Sequence, residues 1–373
     1  MNKRISSLFF VLFLTLSGVF TYAQQEVEAI STETTEQKMT DDNQKFNAKE
    51  MIMSHISDAN EWHILTLNEG TPEENHVSIP LPIIINDKNG LHMFMSSAIA
   101  HGHEHDGYTL DHGIVKSTQG LEQAKLFSVM SGKHSLENAF YDFSITKNVA
   151  AIFISIFFMF LVFIGMARGY AKSLVPSGFG RFMEPVILFI RDEVAIPNIG
   201  AKKYKKYMPY LLTVFFFIWF NNMFGLIPFA PFGYNLTGNI ATTAVLAIIT
   251  LLITIFSANK DYWKHIFMPP VPLLLYPIMV PIEIIGIFTK PFALMMRLFA
   301  NITAGHIMVL AIMSLIFIFK TPLLGFASVP LGLFIGVLEL LVAALQAYIF
   351  TVLSALFIGI AVAEHEHEHE GAH

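Results

Sequence analysis

The sequence predicts an all-α polytopic membrane protein with about five membrane helices and one amphipathic helix on the cytoplasmic face. A small β-containing exported segment is expected ahead of the membrane helices. This prediction rests first on composition, because 54% of the 373 residues are hydrophobic and only 14% are charged. It rests second on segregation, because most acidic residues and histidines lie before residue 145 or after residue 363. The formal net charge of −6 therefore describes the two ends of the chain, not its apolar middle.

The first 23 residues have the three parts of a signal peptide. Lys3 and Arg4 form a basic start, residues 8–16 an apolar core, and Thr-Tyr-Ala at 21–23 a small-residue cleavage site. The alternative is an uncleaved anchor helix. Either version exports the segment that follows, which in a bacterium places it in the periplasm.

Residues 24–145 form the predicted periplasmic extension. Its first part, residues 24–50, is polar and poor in aromatic residues, which is typical of a disordered linker. Farther along, residues 62–67 and 77–85 predict short strands bounded by Gly, Pro and Asn. The chain has no cysteine, so disulfides and cysteine-ligated metals are excluded from this segment and from the rest.

Three apolar runs, residues 150–166, 207–226 and 240–258, are long enough with their flanks to cross a hydrocarbon core of about 30 Å. Basic residues crowd the loop between the first two runs, namely Arg168, Lys172, Arg181, Arg191, Lys202, Lys203, Lys205 and Lys206. The loop at 221–239 has neither Lys nor Arg, so the positive-inside rule puts it outside and the basic loop in the cytoplasm. Residues 179–194 mix apolar and charged groups, which predicts an amphipathic helix on the cytoplasmic membrane face.

The last two apolar runs, residues 272–319 and 323–363, are unusually long. As helices they would measure roughly 60–70 Å each, about twice the bilayer. Lys-Thr-Pro at 320–322 is the clear break between them. We therefore predict two long, strongly tilted helices, with Pro281 and Pro291 as sites for kinks. They complete a membrane domain at 146–363, followed by a His/Glu-rich cytoplasmic tail at 364–373.

A permanent positive charge lies inside the first of these long runs, at Arg297. Arginines at hydrocarbon depth usually face a wet cavity or a countercharge and mark an ion pathway. The alternative is a side chain that reaches the headgroups from a helix end. Glu283, Lys290 and Arg297 are spaced by seven and form one stripe on a helix, and Asn301 shares the face of Arg297.

Three further polar residues extend this constellation. His306 lies nine residues past Arg297, on roughly the opposite side of the helix and about 13 Å along its axis. Glu339 and Gln346 are seven apart on the last helix, and an antiparallel arrangement would bring Glu339 beside His306 and Gln346 towards Arg297 or Asn301. Carboxylate, imidazole and amide groups pass protons through water, whereas a guanidinium never accepts one. The pattern predicts two half-pathways divided by a fixed charge.

Each of these residues also has a simpler interpretation. Gln346 and Asn301 would serve as hydrogen-bonding contacts between helices. Glu339 and His306 would neutralise each other, while Glu283 and Lys290 would be interfacial groups. The whole set on two helices favours the ion pathway.

Two sequence signatures, RLFAN at 297–301 followed by AG at 304–305, and QAYIF at 346–350, resemble subunit a of the rotary F-type ATP synthases. The resemblance implies that Arg297 meets the ion-carrying carboxylate of the c-ring, with Asn301 and Gln346 as its polar partners. It implies that Glu283 belongs to the cytoplasmic half-channel and that Lys290 flanks it. In many relatives the residue types at His306 and Glu339 are exchanged.

The same resemblance implies partners and a location. The chain would join c-ring subunits, a peripheral-stalk subunit b and the rest of an ATP synthase in the bacterial inner membrane, without a catalytic site or cofactor of its own. One departure is GLIP at 225–228, which lacks the preceding acid of several relatives. The long exported segment is not explained by the resemblance.

Two rival functions remain in view. A self-contained secondary transporter would show internal repeats with broken helices, and an intramembrane metalloprotease a His-Glu-x-x-His motif; the sequence has neither. Histidines also cluster at His101, His103, His105 and His112 and in the C-terminal tail. Such tracts bind Zn²⁺ or Ni²⁺ loosely, but we expect flexible, solvated segments without a defined metal site.

Overall fold

The computed structural model describes residues 56–67, 75–100, 103–111, 113–124, 139–172, 178–227, 232–269, 271–319 and 322–363. The predicted signal peptide, the predicted disordered linker and the His/Glu-rich tail lie outside these residues. His101 and His112 also lie outside them.

Short strands come first in the chain and form what we call the β module. They are β1 (Glu61–Leu67), β2 (Asn75–Pro80), β3 (Pro82–Asp87), β4 (Gly90–Met95), β5 (Tyr108–Asp111), β6 (Ile114–Ser117), β7 (Glu122–Gln123) and β8 (Ala139–Asp142). β1 pairs with β2 and β5 with β6, while a four-stranded sheet has the order β4-β3-β8-β7. The pairs are antiparallel except for β7 with β8.

Alternation along β3 builds the core of the module. Ile83 and Ile85 point inwards and pack with Ile99, Tyr108 and Phe140. The predicted strand at 62–67 is confirmed within β1, and the predicted stretch at 77–85 is divided between β2 and β3 at Leu81.

The expectation that the histidine cluster is flexible is wrong for residues 103–111. His105 forms a β-bridge with Tyr108, and the backbone there turns into β5. Tyr108 is fully buried, so the packing of its ring fixes a segment whose polar composition suggested a solvated stretch.

The helices follow in the order α1 (Lys147–Lys172), α2 (Phe179–Phe189), α3 (Ile196–Ile199), α4 (Tyr204–Gly225), α5 (Ile240–Ser257), α6 (Lys260–Phe267), α7 (Tyr276–Phe319) and α8 (Pro322–Val362). Within the described residues, α1, α4, α5, α7 and α8 are long and apolar enough to cross a membrane. The predicted fold class, with five membrane helices and strands before them, is confirmed.

The predicted amphipathic helix is present as α2, which continues through a π-helical turn at Ile190–Ala195 into α3. Its buried side includes Met183, Ile190 and Val194, and it packs against α4 and α8. Arg191 lies on the opposite, partly exposed side, where its guanidinium donates to Asp192.

The two long helices run antiparallel. At 1.5 Å per residue, α7 with 44 residues is about 66 Å long and α8 with 41 residues about 61 Å. Met313 packs beside Gly332 and His306 beside Glu339, so each step forward on α7 matches one step back on α8. α7 remains helical through Pro281 and Pro291.

The C-terminal end of α8 is tied to the rest of the chain by three hydrogen bonds. The backbone N–H of Asn259 donates to the carbonyl of Ala361 at 2.9 Å. The Asn259 side chain and the Lys203 ammonium both donate to the carbonyl of Val362, at 2.9 and 2.8 Å. These bonds satisfy carbonyls that have no partner within the helix.

Candidate functional site

Arg297 and Asn301 lie on the exposed side of α7, as does Lys290 one heptad earlier. The opposite side of the helix is anchored by Leu294, Leu298 and Ile302, each at most 4% exposed and spaced by four residues. The apolar side packs inwards and leaves Arg297 and Asn301 on an uncovered surface, which we call the open face. The expected shared face of Lys290, Arg297 and Asn301 is thus present.

His306 and Glu339 meet where α7 and α8 touch. The His306 Nδ1 atom lies 3.9 Å from the Glu339 Oε1 atom, which confirms the expected proximity of the two side chains. Glu339 is buried, and its Oε1 has no hydrogen-bond partner in the described part of the chain. Gly305 permits this approach, because a Cβ there would lie only 2.8 Å from that oxygen.

The pair lies within α7 and α8 at the level where α4 ends and α5 begins, on the side of the membrane domain that the β module adjoins, and we call this level the module end. His306 sits beside Gly225, the last residue of α4, where a Cβ would be 3.5 Å from the imidazole Nε2. Lys147, the first residue of α1, is close enough for its charge to act on His306.

Glu283 and Lys290 lie towards the other end, which we call the far end. Glu283 interacts with Tyr262 of α6, whose pKa is raised by partial burial and by that negative charge. Lys290 lines a small cavity of about 20 Å³ together with Tyr262, Thr250 and Thr254. Along the axis of α7, Arg297 is about 21 Å from Glu283 and about 13 Å from His306.

Gln346 is only partly as expected. The antiparallel register places it at the level of residue 299, between Arg297 and Asn301 along the helix axes. Its side chain is buried at 4% exposure, however, whereas Arg297 and Asn301 are exposed. Gln346 therefore lies at the predicted depth along the helices, but its side chain does not share the exposed surface of Arg297 and Asn301.

Sequence reasoning missed a buried polar network at the module end. The Ser155 hydroxyl on α1 donates to the Asn221 side chain at 2.5 Å, and the Tyr234 hydroxyl lies 3.1 Å from Ser155. Asn222 donates to the carbonyl of Ala343 on α8 at 3.2 Å and accepts from the hydroxyl of Thr237. The signal available was the pair of asparagines inside an apolar span, because buried amides need partners.

The arrangement separates groups by chemistry. At the module end, a buried carboxylate and an imidazole are able to hold and release a proton. On the open face, a guanidinium carries a charge that no described side chain of this chain neutralises by an ion pair. At the far end, a second carboxylate and an ammonium lie beside a tyrosine.

Two protein families match the chain. A family described as ATP synthase A chain matches residues 149–359, which is more than half of the chain. A family described as a domain of unknown function matches residues 51–143, the region of the β module.

Individual relatives are named ATP synthase subunit a or subunit a 2. The one from Chloroherpeton thalassium is 46% identical over 238 residues, covering 62% of this chain and 70% of the relative. The one from Prosthecochloris aestuarii is 42% identical over 294 residues, covering 74% of this chain and 87% of the relative. For the one from Anaeromyxobacter sp., at 46% identity, the matched stretch spans 61% of this chain and only 57% of the relative.

Proposed function

The chain belongs to the ATP synthase A chain family, and from this premise we propose how it works within an ATP synthase. It is a non-catalytic, proton-translocating membrane subunit. We propose that it is the stator half of the proton channel. Protons pass through two offset half-channels to and from a carboxylate on a rotating c-ring, which couples their flow to ATP synthesis elsewhere in the complex.

The observation that carries this proposal is that three chemically different groups lie at three separate levels along α7. His306 with Glu339 lies at the module end of α7, Arg297 on the open face, and Glu283 at the far end. Protons move between carboxylates and imidazoles through water, but a guanidinium blocks the direct step because it does not release its proton. A carboxylate that visits Arg297 from another chain loses its proton there, because a nearby cation lowers its pKa.

The open face is where we place the c-ring. Only 11% of the residues in the most apolar window of α7 and 17% in that of α8 are buried, against 50% in α4 and 56% in α5. Lipid would leave Arg297 without a countercharge, at a cost of at least about 2.5–3.5 kcal/mol at the bilayer centre. A partner carboxylate removes that cost. Asn301 lies on the same open face and would orient the guanidinium, whereas Gln346 lies at the same depth but on the buried side of α8.

The direction of flow follows from the predicted topology. The β module is exported, so the module end faces the periplasm and the far end the cytoplasm, where the basic loop and the C-terminus lie. Protons enter by the Glu339 and His306 side and leave past Glu283, with Lys290 beside the exit. Peripheral-stalk subunit b is the other expected neighbour in the complex.

Replacing Arg297 by alanine in the assembled complex tests the proposal. ATP-driven proton pumping in inverted membrane vesicles, followed with a pH-sensitive dye, should be abolished, because nothing then discharges the ring carboxylate. Arg168→Ala is the matched control, since Arg168 is also an exposed arginine on a membrane helix. Its pumping should equal that of the unaltered chain.

Normal pumping by Arg297→Ala would remove the mechanism. A second observation separates the transporter alternative. Purification of the chain should bring along a small, two-helix, ring-forming protein, and a functional chain that lacks such a partner would favour the transporter.

A further inference from the structure

Eight buried side-chain atoms have no hydrogen-bond partner in the described part of the chain, and they fall on six residues. Asp58, Asn60 and Asn148 lie where the β module meets α1. Asn235 and Asn239 lie in the loop between α4 and α5, and Glu339 is the carboxylate described above. Buried polar atoms without protein partners usually bind ordered water. Five of these residues lie between the β module and the ends of α1, α4 and α5 that adjoin it, and the sixth is Glu339.

Asp58 is the carboxylate among these five residues. It is 4% exposed, and its Oδ1 accepts from the backbone N–H of Ala59 and of Asn148, both at 3.0 Å. The backbone N–H of Lys147 donates to the carbonyl of Ala59, which fixes the junction. No hydrogen bond of normal geometry reaches the Oδ2 atom of Asp58 within the described residues, although the Thr146 hydroxyl lies close enough to act on the carboxylate.

Lys147 links this carboxylate to the pair at the module end. The backbone bonds of Ala59 and Asn148 place Lys147 beside Asp58, and the Lys147 charge also reaches His306. The β module therefore holds Asp58 near the candidate site, although Asp58 and His306 are far apart in sequence.

Polar side chains continue from the junction to α8. Two turns after Asn148 on α1 comes Ser155, which bonds Asn221 and contacts Tyr234, and the Tyr234 ring packs against Trp62 of β1. The neighbouring Asn222 bonds the carbonyl of Ala343, one helical turn from Glu339. A chain of hydrogen-bonded polar side chains on α1 and α4 thus leads from the junction to the level of Glu339 on α8.

We propose that Asp58 is a proton-carrying carboxylate at the entrance of the route to Glu339 and His306, so that the β module supplies a working part of that half-channel. This proposal rests on the proposed function. In each step Asp58 takes a proton from one water and releases it to the next, so only O–H bonds form and break.

A purely structural role would be to cap the N-terminus of α1, and that role accounts for the Oδ1 atom, which accepts both backbone hydrogen bonds. Capping uses one oxygen, and Ser, Thr or Asn does it about as well as Asp. Burial raises the pKa of Asp58, while the Asn148 N–H, the Lys147 charge, the Thr146 hydroxyl and the Ala59 N–H oppose the rise. A carboxyl with a raised pKa exchanges protons more readily near neutral pH.

The experiment uses the whole complex in liposomes, with ATP synthesis driven by an acid–base jump. Asp58→Asn keeps an oxygen that caps α1 but cannot take up and release a proton. The rate of ATP synthesis per assembled complex should therefore fall about tenfold. Asp58→Glu should restore most of it, and a more acidic compartment on the module side should partly rescue Asp58→Asn. Asp58→Thr is the second cap-preserving variant and decides the matter if Asp58→Asn does not assemble.

Asp142→Asn is the matched control. Asp142 is also a buried carboxylate of the β module, with a pKa raised by burial, and it accepts from the backbone N–H of Ser144 at 2.9 Å. This variant should synthesise ATP at the normal rate. A normal rate in Asp58→Asn, or an equal loss in Asp58→Asn and Asp58→Glu without rescue by acid, would overturn the proposal. Arg297→Ala tells the two hypotheses apart, since its synthesis would persist only if the proposed function itself were wrong.

Discussion

On their covered side, the two long helices bury small and apolar residues such as Ala347, Phe350 and Ile358 against α3, α4 and α5. Their exposed surfaces carry large apolar side chains, for example Phe292 on α7 and Leu341 on α8, and on α7 also the charged Arg297 and polar Asn301. Polar groups occur on both sides but are satisfied differently. On the covered side Asn222 reaches α8 with a hydrogen bond, whereas Arg297 has no countercharge among the described side chains.

This difference indicates whether the hydrogen-bond or ion-pair partner of a polar side chain lies within this chain or in another molecule. A buried polar group must be satisfied within the fold, so changes on the covered side should act on stability or on internal proton transfer. A charged group on an apolar, uncovered surface must be satisfied by another molecule. Changes on the open face should therefore leave the fold intact and act on coupling to the partner.

Among the changes that compare the covered side with the open face, the largest effect is expected at Glu339, at the contact between the two helices. Glu339→Gln keeps the shape and removes the proton, so ATP-driven pumping should fall about a hundredfold with normal assembly. Exchanging the pair, with His306→Glu and Glu339→His together, should recover activity relative to either single change, because the side chains are neighbours. Undiminished pumping by Glu339→Gln would show that the buried carboxylate takes no part in transfer.

The next effect is steric and compares two glycines of α8. A Cβ at Gly359 would overlap the carbonyl oxygen of Asn198, whereas a Cβ at Gly336 would meet nothing within 4 Å. Gly359→Ala should destabilise the chain by about 1–3 kcal/mol and lower its amount in membranes, measured by immunoblot. Gly336→Ala should keep normal levels, and a loss of coupling in that variant would place the ring against this position. Equal levels of the two variants would contradict the division into faces.

Substitutions of two asparagines, one on the covered side and one on the open face, test the same distinction with smaller expected effects. Asn222→Ala leaves Thr237 and the carbonyl of Ala343 without their partner, at a cost of about 1–3 kcal/mol. The melting temperature of the purified complex should fall. Asn301→Ala should leave the melting temperature unchanged and reduce pumping. Reversed outcomes would mean that the buried amide, and not the exposed one, acts in transport.

The smallest functional effect is expected from single substitutions to cysteine. Labelling of such a variant by a thiol reagent reports on one position only, because the chain has no other cysteine. Ala300→Cys lies on the open face, while Ile302→Cys is 4% exposed on the covered side. Both variants should pump normally. A thiol reagent should modify Ala300→Cys in the chain without the ring and not in the full complex, and should modify Ile302→Cys in neither. Labelling of Ala300→Cys in the complex would place the ring elsewhere.

The sequence was sufficient for features that depend on local pattern. Hydropathy and length gave the five spans and the two long helices, and heptad spacing gave the shared side of Lys290 and Arg297. The proximity of His306 and Glu339 was an arrangement that an antiparallel pair of helices allows, and the structure shows that this register is adopted. These predictions needed only the geometry of a helix.

What the sequence did not indicate depends on contacts between distant segments. Asp58 caps α1 across 90 positions, and no local pattern signals that pairing. The order of residues 103–111 depends on the buried ring of Tyr108, not on their polar composition. The burial of Gln346 depends on how α8 rotates against α4, which periodicity on a helix with apolar residues on all sides cannot specify.

The three bonds that hold the end of α8 have a mechanical consequence. Under the proposed function, a ring that turns against α7 and α8 would exert a sideways force on two helices about 61–66 Å long. That force would become torque on the ring only if the two helices did not move with it. Asn259 and Lys203 clamp the tip of α8 to the segments that flank α4 and α6, which gives that helix a fixed pivot. Loosening this clamp would let the stator slip while every proton-carrying group remained in place.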